Sequence, residues 1–225
     1  MPALLFWALP PALLLLAALL LRKRLFARFY DPVTARYEEY IAPRRQRLLA
    51  GLHGTVLEIG PGTGANLPYL DSSVRWIGVE PNPHMRSRLI QRAAELGLEV
   101  EFREPEAARL PAQDASVDVV LSSLVLCSLR DPQATLGEIR RVLKPGGRFV
   151  FLEHVAAPDN TLLRRNQDLV RPLWQLFADG CRVNRELGTM IRGAGFSRVD
   201  MEAFRAPREI MPAMVSPQIA GVAVK

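Results

Sequence analysis

Between residues 55 and 66 the chain reads Thr55-Val56-Leu57-Glu58-Ile59-Gly60-Pro61-Gly62-Thr63-Gly64-Ala65-Asn66, and no other stretch limits the fold as strongly. A short apolar, β-branched run reads as a buried strand. The glycines at 60, 62 and 64 remove side chains from the turn that follows, where the backbone must come close to something else. A strand that enters a glycine-rich turn and then a helix is the opening unit of an open α/β sheet, whose ligands lie in the crevice at the strand ends. Three glycines taken alone are weak evidence, so the remainder of the chain has to agree.

It does agree. Strands are expected at 55–59, 74–80, 99–103, 117–122 and 148–154, each followed by a helix or a long connection, and such alternation implies a parallel, doubly wound sheet. Two helical stretches follow Asn160, then strands at 197–204 and 219–224, which makes seven. The second strand ends in Val79-Glu80-Pro81-Asn82, with Glu80 20 residues past Gly60, where a carboxylate accepts the ribose hydroxyls of an adenosine. A P-loop is excluded because no Gly-Lys-Ser or Gly-Lys-Thr occurs.

The N-terminus has a different character. Residues 3–21 carry no charge and as a helix would reach ~28 Å, close to the apolar thickness of a bilayer. Arg22, Lys23 and Arg24 follow the apolar run, whereas a cleaved signal would place its cations before it. The expectation is an uncleaved membrane anchor over 1–24 with the rest of the chain on the cytoplasmic side. Pro10-Pro11 interrupts the run, so a spanning helix and a shallow hairpin in one leaflet both stay open. Asp31-Pro32 reads as a helix start, and the spacing of Phe26, Phe29, Tyr30, Val33, Tyr37, Tyr40 and Ile41 predicts an amphipathic connector helix within 25–54. The third segment, 55–225, is the α/β domain.

Composition removes several function classes. With 49% hydrophobic and 23% charged residues the chain can bury a core, and 225 residues suit one domain with extra segments. The net charge of +6 is concentrated between residues 22 and 47, where eight Arg or Lys face three acids. A basic collar beside an apolar segment suits anionic lipid headgroups. The α/β part has no comparable excess and no interleaved basic and aromatic residues, so no nucleic-acid partner is expected. Two cysteines, Cys127 and Cys181, make no disulfide framework, and the histidines at 53, 84 and 154 show no zinc-site spacing, so no metal is expected.

NAD and S-adenosylmethionine share this architecture. Glu58 just before the glycines, the Gly-x-Gly-x-Gly spacing and Asn66 resemble the signature of the class I S-adenosylmethionine-dependent methyltransferases. Glu106-Ala107-Ala108-Arg109-Leu110-Pro111, Asp114-Ala115-Ser116-Val117-Asp118 and Arg141-Val142-Leu143-Lys144-Pro145-Gly146-Gly147 match that superfamily's later signatures in order. The resemblance implies a Rossmann-like seven-stranded fold with S-adenosylmethionine as cofactor. Its site would comprise Glu58, Gly60, Gly62, Gly64, Asn66, Glu80 and Pro81, Glu106 and Ala107 at the adenine, and Ser122 and Ser123 beside the methionine part. The Pro145-Gly146-Gly147 turn would be structural.

Leu124-Val125-Leu126-Cys127-Ser128, Glu153-His154-Val155-Ala156, Asp179-Gly180-Cys181 and the closing Gly221-Val222-Ala223-Val224-Lys225 narrow the match. Together with the anchor they resemble the membrane-anchored alkyl thiol S-methyltransferases of the endoplasmic reticulum and lipid droplets. That resemblance implies a small apolar thiol as substrate. Pro61 stands where that family usually has Cys, and Glu80 where Asp is usual. A lipid or quinone methyltransferase shares every cofactor motif, and a membrane recruitment protein with a vestigial site is the reading from another class. A sulfonium methyl is already electrophilic, so the chemistry asks for in-line approach and a thiolate. His154 and Asp179 are the catalytic candidates, each with a structural alternative: a satisfied core histidine and a helix stop. The segment 205–216, with Ile210, Met211 and Met214, reads either as an apolar lid or as packing. Tyr30 and Asp31 are placed to close over the cofactor, and Tyr37 to pack.

Overall fold

The strands form where the pattern demands burial on both faces, and the alternation is visible residue by residue. In the computed structural model, which describes residues 11–104 and 109–225 and the side chains of the first helix from residue 21, β1 (Thr55–Ile59) sends Leu57 and Ile59 to one face and Val56 to the other. β4 (Val117–Ser123) and β5 (Leu143–His154) divide in the same way. Val120, Phe149 and Phe151 join Leu57 on one face, and Val119, Leu121 and Val150 join Val56 on the other. Strands covered on both sides belong to a parallel sheet layered between helices.

β2 (Arg75–Val79), β3 (Glu101–Phe102), β6 (Arg198–Arg205) and β7 (Pro217–Val224) complete the sheet, and the described residues form seven strands in the order β3-β2-β1-β4-β5-β7-β6. The first five run parallel, and β7 inserts antiparallel between β5 and β6. Chain order reverses between β1 and β4, which opens a crevice at their C-terminal ends. α2 (Pro83–Glu95) starts where the Asn82 side chain accepts from the His84 amide at 3.1 Å. α3 (Pro132–Val142) starts where Asp131 accepts from Ala134 at 2.9 Å. Each has proline in its first turn, the position at which a missing N–H costs nothing. α4 (Leu162–Phe177) and α5 (Leu187–Gly193) follow β5.

The expected turn at Pro145-Gly146-Gly147 lies within β5 as a bulge. Leu143 pairs with Val117 and Arg148 with Val119, so residues 144–147 stand opposite Asp118 alone. Asp118 secures the irregularity by accepting from Lys144 Nζ at 2.7 Å and from the Thr55 amide at 2.8 Å. β3 is shorter than expected.

The first helix departs furthest from expectation. Asp31-Pro32 does not start it: α1 runs unbroken from Pro11 to Leu49, with Pro32 and Pro43 inside. Each proline removes one i to i−4 hydrogen bond. The carbonyls that lose their partners belong to Arg28 and Glu39, both exposed residues on the solvent side of the helix. Tertiary contacts hold the rest: Tyr37 and Ile41 are fully buried, the Tyr37 hydroxyl donates to Gln218 Oε1 at 2.8 Å, and Arg44 pairs with Glu202. Packing expected of Tyr37 is thus present. Residues 1–10 lie outside the described residues, and among the described residues no helix is long and apolar enough to cross a membrane.

Gly221 sits at the middle of β7, where an added Cβ would overlap the Asp200 carbonyl oxygen of β6 and lie 2.9 Å from the Met201 Cα. Gly221→Ala is expected to lower stability by about 1–3 kcal/mol, the range for forcing a methyl into a packed site. The shift of the urea midpoint at unchanged slope measures it.

Candidate functional site

The C-terminal end of β1 sets the site. Glu58 is buried to 1% exposure, and neither oxygen points into the crevice: Oε1 accepts from Asn66 Nδ2 at 2.7 Å and Oε2 from Trp76 Nε1 at 2.8 Å. Burial raises its pKa, and the two hydrogen bonds oppose that rise. Glu58 and Asn66, both read from sequence as cofactor residues, therefore act on each other. They clamp the far end of the glycine loop to β1 and, through Trp76, to β2.

Within the loop, Gly60 donates to the Val79 carbonyl at 2.9 Å with φ +59°, and an added Cβ would meet Val125 Cγ2 at 2.7 Å. Only glycine fits there. Gly64 donates to the Pro61 carbonyl at 2.9 Å. The Gly62 amide donates to Glu80 Oε2 at 2.9 Å and the Asn82 amide to Oε1 at 2.8 Å. Apart from its chain neighbours, no atom of the described residues lies within 4 Å of where a Cβ on Gly62 would sit. Glu80 is thus a positioned carboxylate at the end of β2 beside an open space in the loop. Burial raises its pKa, the Asn82 and Gly62 amides lower it, and the negative charge of Asp179 raises it further. Asp179 lies in an Asp-Gly turn with φ +45°, beyond the end of α4. Pro81 is exposed next to Glu80.

α1 crosses this end of the sheet. Thr63 Oγ1 donates to Asp31 Oδ1 at 2.6 Å, and Arg88 of α2 reaches both the Ala27 carbonyl and Asp31. A cleft of about 590 Å³ between α1 and the loop is lined by Tyr30, Asp31, Thr63, Tyr69 and Arg88, and Glu80 does not line it. Asp31 thus ties α1 to the loop at Thr63 and to α2 at Arg88.

At the end of β4 the arrangement differs from the sequence reading. Ser122 is fully buried and donates to Glu153 Oε1 at 2.7 Å, so its hydroxyl is turned inward, while Ser123 is half-buried. The same Glu153 oxygen accepts the amides of Val125 and Leu126, each at 3.1 Å. These donors bracket Leu124, which has φ +60° and donates to the Leu152 carbonyl at 2.7 Å. A left-handed leucine is strained, and a buried carboxylate holding both flanks keeps it there. Sequence reading gave Glu153 no role. Its signal was a lone acid closing the apolar run Phe149–Leu152. Burial raises its pKa, and Oε2 has no partner among the described residues.

Next in β5 is His154, 6% exposed, with Nε2 3.0 Å from Cys181 Sγ and Nδ1 without a partner among the described residues. Trp174 Nε1 also donates to Cys181 Sγ, at 3.1 Å. The Sγ atoms of Cys127 and Cys181 and one His154 nitrogen all lie within 4.8 Å of one another. The hydrogen bond to Cys181 and then burial raise the Cys127 thiol well above its ordinary value. A thiolate at Cys127 would raise the imidazole in turn, against the opposing effect of burial. Met211 and Met214, from the segment read as lid or packing, pack against the main core. Glu106 and Ala107 lie outside the described residues.

The sequence profile of the family described as "Methyltransferase domain" matches residues 57–151. Human thiol S-methyltransferase TMT1A is 36% identical over 214 residues, covering 90% of this chain and 87% of that protein. Human thiol S-methyltransferase TMT1B is 39% identical over 182 residues, covering 79% and 74%. Among solved structures, an S-adenosylmethionine-dependent methyltransferase from Aquifex aeolicus aligns with TM-score 0.55 at 20% identity, covering 83% of this chain and 88% of that one, a likeness of fold.

Glu58→Gln keeps the shape but turns one of two acceptor oxygens into a donor facing a donor. Unfolding in urea is expected to show a loss of about 1–3 kcal/mol, the penalty for a buried polar group left unsatisfied.

Proposed function

Because this chain belongs to the thiol S-methyltransferase family of S-adenosylmethionine-dependent methyltransferases, we propose that it methylates the sulfur of small apolar thiols at a membrane surface. One observation carries the choice of acceptor: identity to thiol S-methyltransferases extends over 90% of the chain. It therefore includes most of the final third of the chain, beyond residue 151, which no cofactor motif accounts for.

The cofactor fits the residues present. Glu80, held by two amides, is placed to accept the ribose hydroxyls, and the open space at Gly62 lets backbone approach the ligand closely. When bound, S-adenosylmethionine supplies a methyl group on a sulfonium, an electrophile that needs no further activation. The chain's own contribution is geometry and exclusion of water. The Glu153-braced turn at Leu124 shapes the floor of the crevice beside β4, and α1, tied down through Asp31 and Thr63, roofs the loop. The acceptor is a weak acid, a few per cent ionised at neutral pH, so the acceptor end has to favour its thiolate. His154, on β5, and Asp179, on the turn after α4, are the side chains offered for that role.

Two exposed apolar faces support the membrane reading. On α1, Leu21, Leu25, Phe29 and Val33 recur every fourth residue beside the cations Arg22, Lys23, Arg24 and Arg28. On α4, Leu162, Leu169, Leu173 and Phe177 are each at least 66% exposed. Apolar stripes with arginine beside them suit a lipid interface. Leu169→Asp with Leu173→Asp is expected to reduce co-flotation of the full chain with anionic phospholipid vesicles, with the fold unchanged by circular dichroism.

The deciding assay gives the membrane-bound protein labelled S-adenosylmethionine and a panel of small thiols, a quinol and a phospholipid. Methylated thiol is expected; labelled quinol or lipid in its place overturns the choice of acceptor. Glu80→Ala is expected to weaken cofactor binding at least ~10-fold, about 1.4 kcal/mol, by calorimetry. In the unsubstituted protein the ionised Glu80 is the better acceptor and burial raises its pKa. Affinity should therefore fall on acidification at a pH above the ordinary carboxylate range, and Glu80→Gln should flatten that profile.

A further inference from the structure

Three donors that the sequence keeps 27 residues apart meet in the folded chain. Cys127 follows the β4 turn, His154 ends β5, and Cys181 follows the Asp-Gly turn beyond α4. We propose that Cys127, His154 and Cys181 hold a zinc ion.

The donor set is one that zinc selects. Two sulfurs and an imidazole suit a borderline-soft dication, and no oxygen ligand of the kind calcium or magnesium requires belongs to the cluster. Zinc–sulfur bonds of ~2.3 Å and zinc–nitrogen bonds of ~2.0 Å at tetrahedral angles put sulfurs about 3.8 Å apart and sulfur from nitrogen about 3.5 Å. All three atoms here lie within 4.8 Å, and the Cys181–His154 pair, at 3.0 Å, needs to open by only about half an ångström.

The surroundings are those of a charged site. Cys127, His154 and Cys181 are exposed by 1%, 6% and 6%, and two thiolates neutralise a dication within that enclosure. Trp174 Nε1–H already points at Cys181 Sγ, an outer hydrogen bond of the kind that stabilises a metal-bound thiolate. Arg185, donating to the Leu126 carbonyl at 2.7 Å, brings a cation close enough to both thiols for their charges to interact. Nε2 is the ring nitrogen that His154 turns toward Cys181 Sγ, and Nδ1 on the other edge has no partner among the described residues.

Three protein ligands leave a tetrahedral ion one further position. That position takes the sulfur of the acceptor, a step that rests on the thiol reading above. On coordination the thiol passes its proton to water and binds as thiolate, with no change of oxidation state.

The test uses the full chain, purified reduced and exchanged into metal-free buffer. About one zinc per chain by mass spectrometry of the metals is expected. Cobalt(II) exchanged into the site should give thiolate charge-transfer absorption and the strong visible bands of a tetrahedral ion. Cys127→Ser, Cys181→Ser and His154→Asn should each lower the zinc content at least ~10-fold, while circular dichroism and calorimetric binding of S-adenosylmethionine show that the variants fold. A shift of the cobalt bands on adding a small thiol supports the fourth position. Bands that stay unchanged overturn that step and leave the metal site standing. A reduced, folded chain that takes up neither zinc nor cobalt overturns the site, as does metal retained in all three variants or a Cys127–Cys181 disulfide in the isolated protein. Cofactor binding persisting in any of these cases leaves the methyltransferase reading intact, so the two fail separately.

Discussion

The carboxylate of Glu58 is the fixed point of this structure. It lies inside the protein, where a carboxylate is costly unless both oxygens are satisfied, and among the described residues the donors that reach it come from the loop and from β2. Satisfying it fixes three things together: the depth of the loop end at Asn66, the alignment of β2 through Trp76, and hence the place of Glu80 at the end of β2. Glu153 repeats the device two strands away. There a second buried carboxylate gathers a hydroxyl and two amides and holds a left-handed leucine at the end of β4. The crevice is thus built between two buried acidic side chains, and the side chains that shape it are mostly turned away from it.

That design explains which parts of the site the sequence disclosed. The strand and glycine pattern led to β1, the seven strands and Glu80, because burial on both faces and positive backbone angles leave traces in residue type. Glu58 and Asn66 were read as cofactor residues, but each is the other's partner, and side-chain direction leaves no such trace. Ser122 was assigned outward and points inward for the same reason. Asp31-Pro32 carried a local helix-start signal that lost to the burial of Tyr37 and Ile41 and the ties from α1 to β6 and β7. Local rules describe what a segment prefers, and a helix packed across a sheet edge obeys its neighbours.

The Cys127, His154 and Cys181 cluster was hidden for a topological reason. Spacing rules for metal sites rest on ligands contributed by one turn or one hairpin, whereas these three come from consecutive but separate elements at one edge of the sheet. In a parallel sheet that is the ordinary way to gather residues, since successive strands deliver their ends to the same edge. Cys127 and His154 lie one strand–helix repeat apart, and Cys181 follows His154 by the same 27 residues across α4. A periodicity of that size among chemically active residues is a topological signal in its own right.

α1 is one uninterrupted helix from Pro11 to Leu49, and α2, the glycine loop, β6 and β7 all take hold of it from Lys23 onward. A rigid screw of this kind transmits phase. Each residue turns it by about 100°, so a one-residue insertion between Leu21 and Asp31 would rotate everything upstream by that angle about the helix axis. Whatever the N-terminal segment grips, the direction in which the crevice opens relative to it is therefore fixed by the count of residues in between.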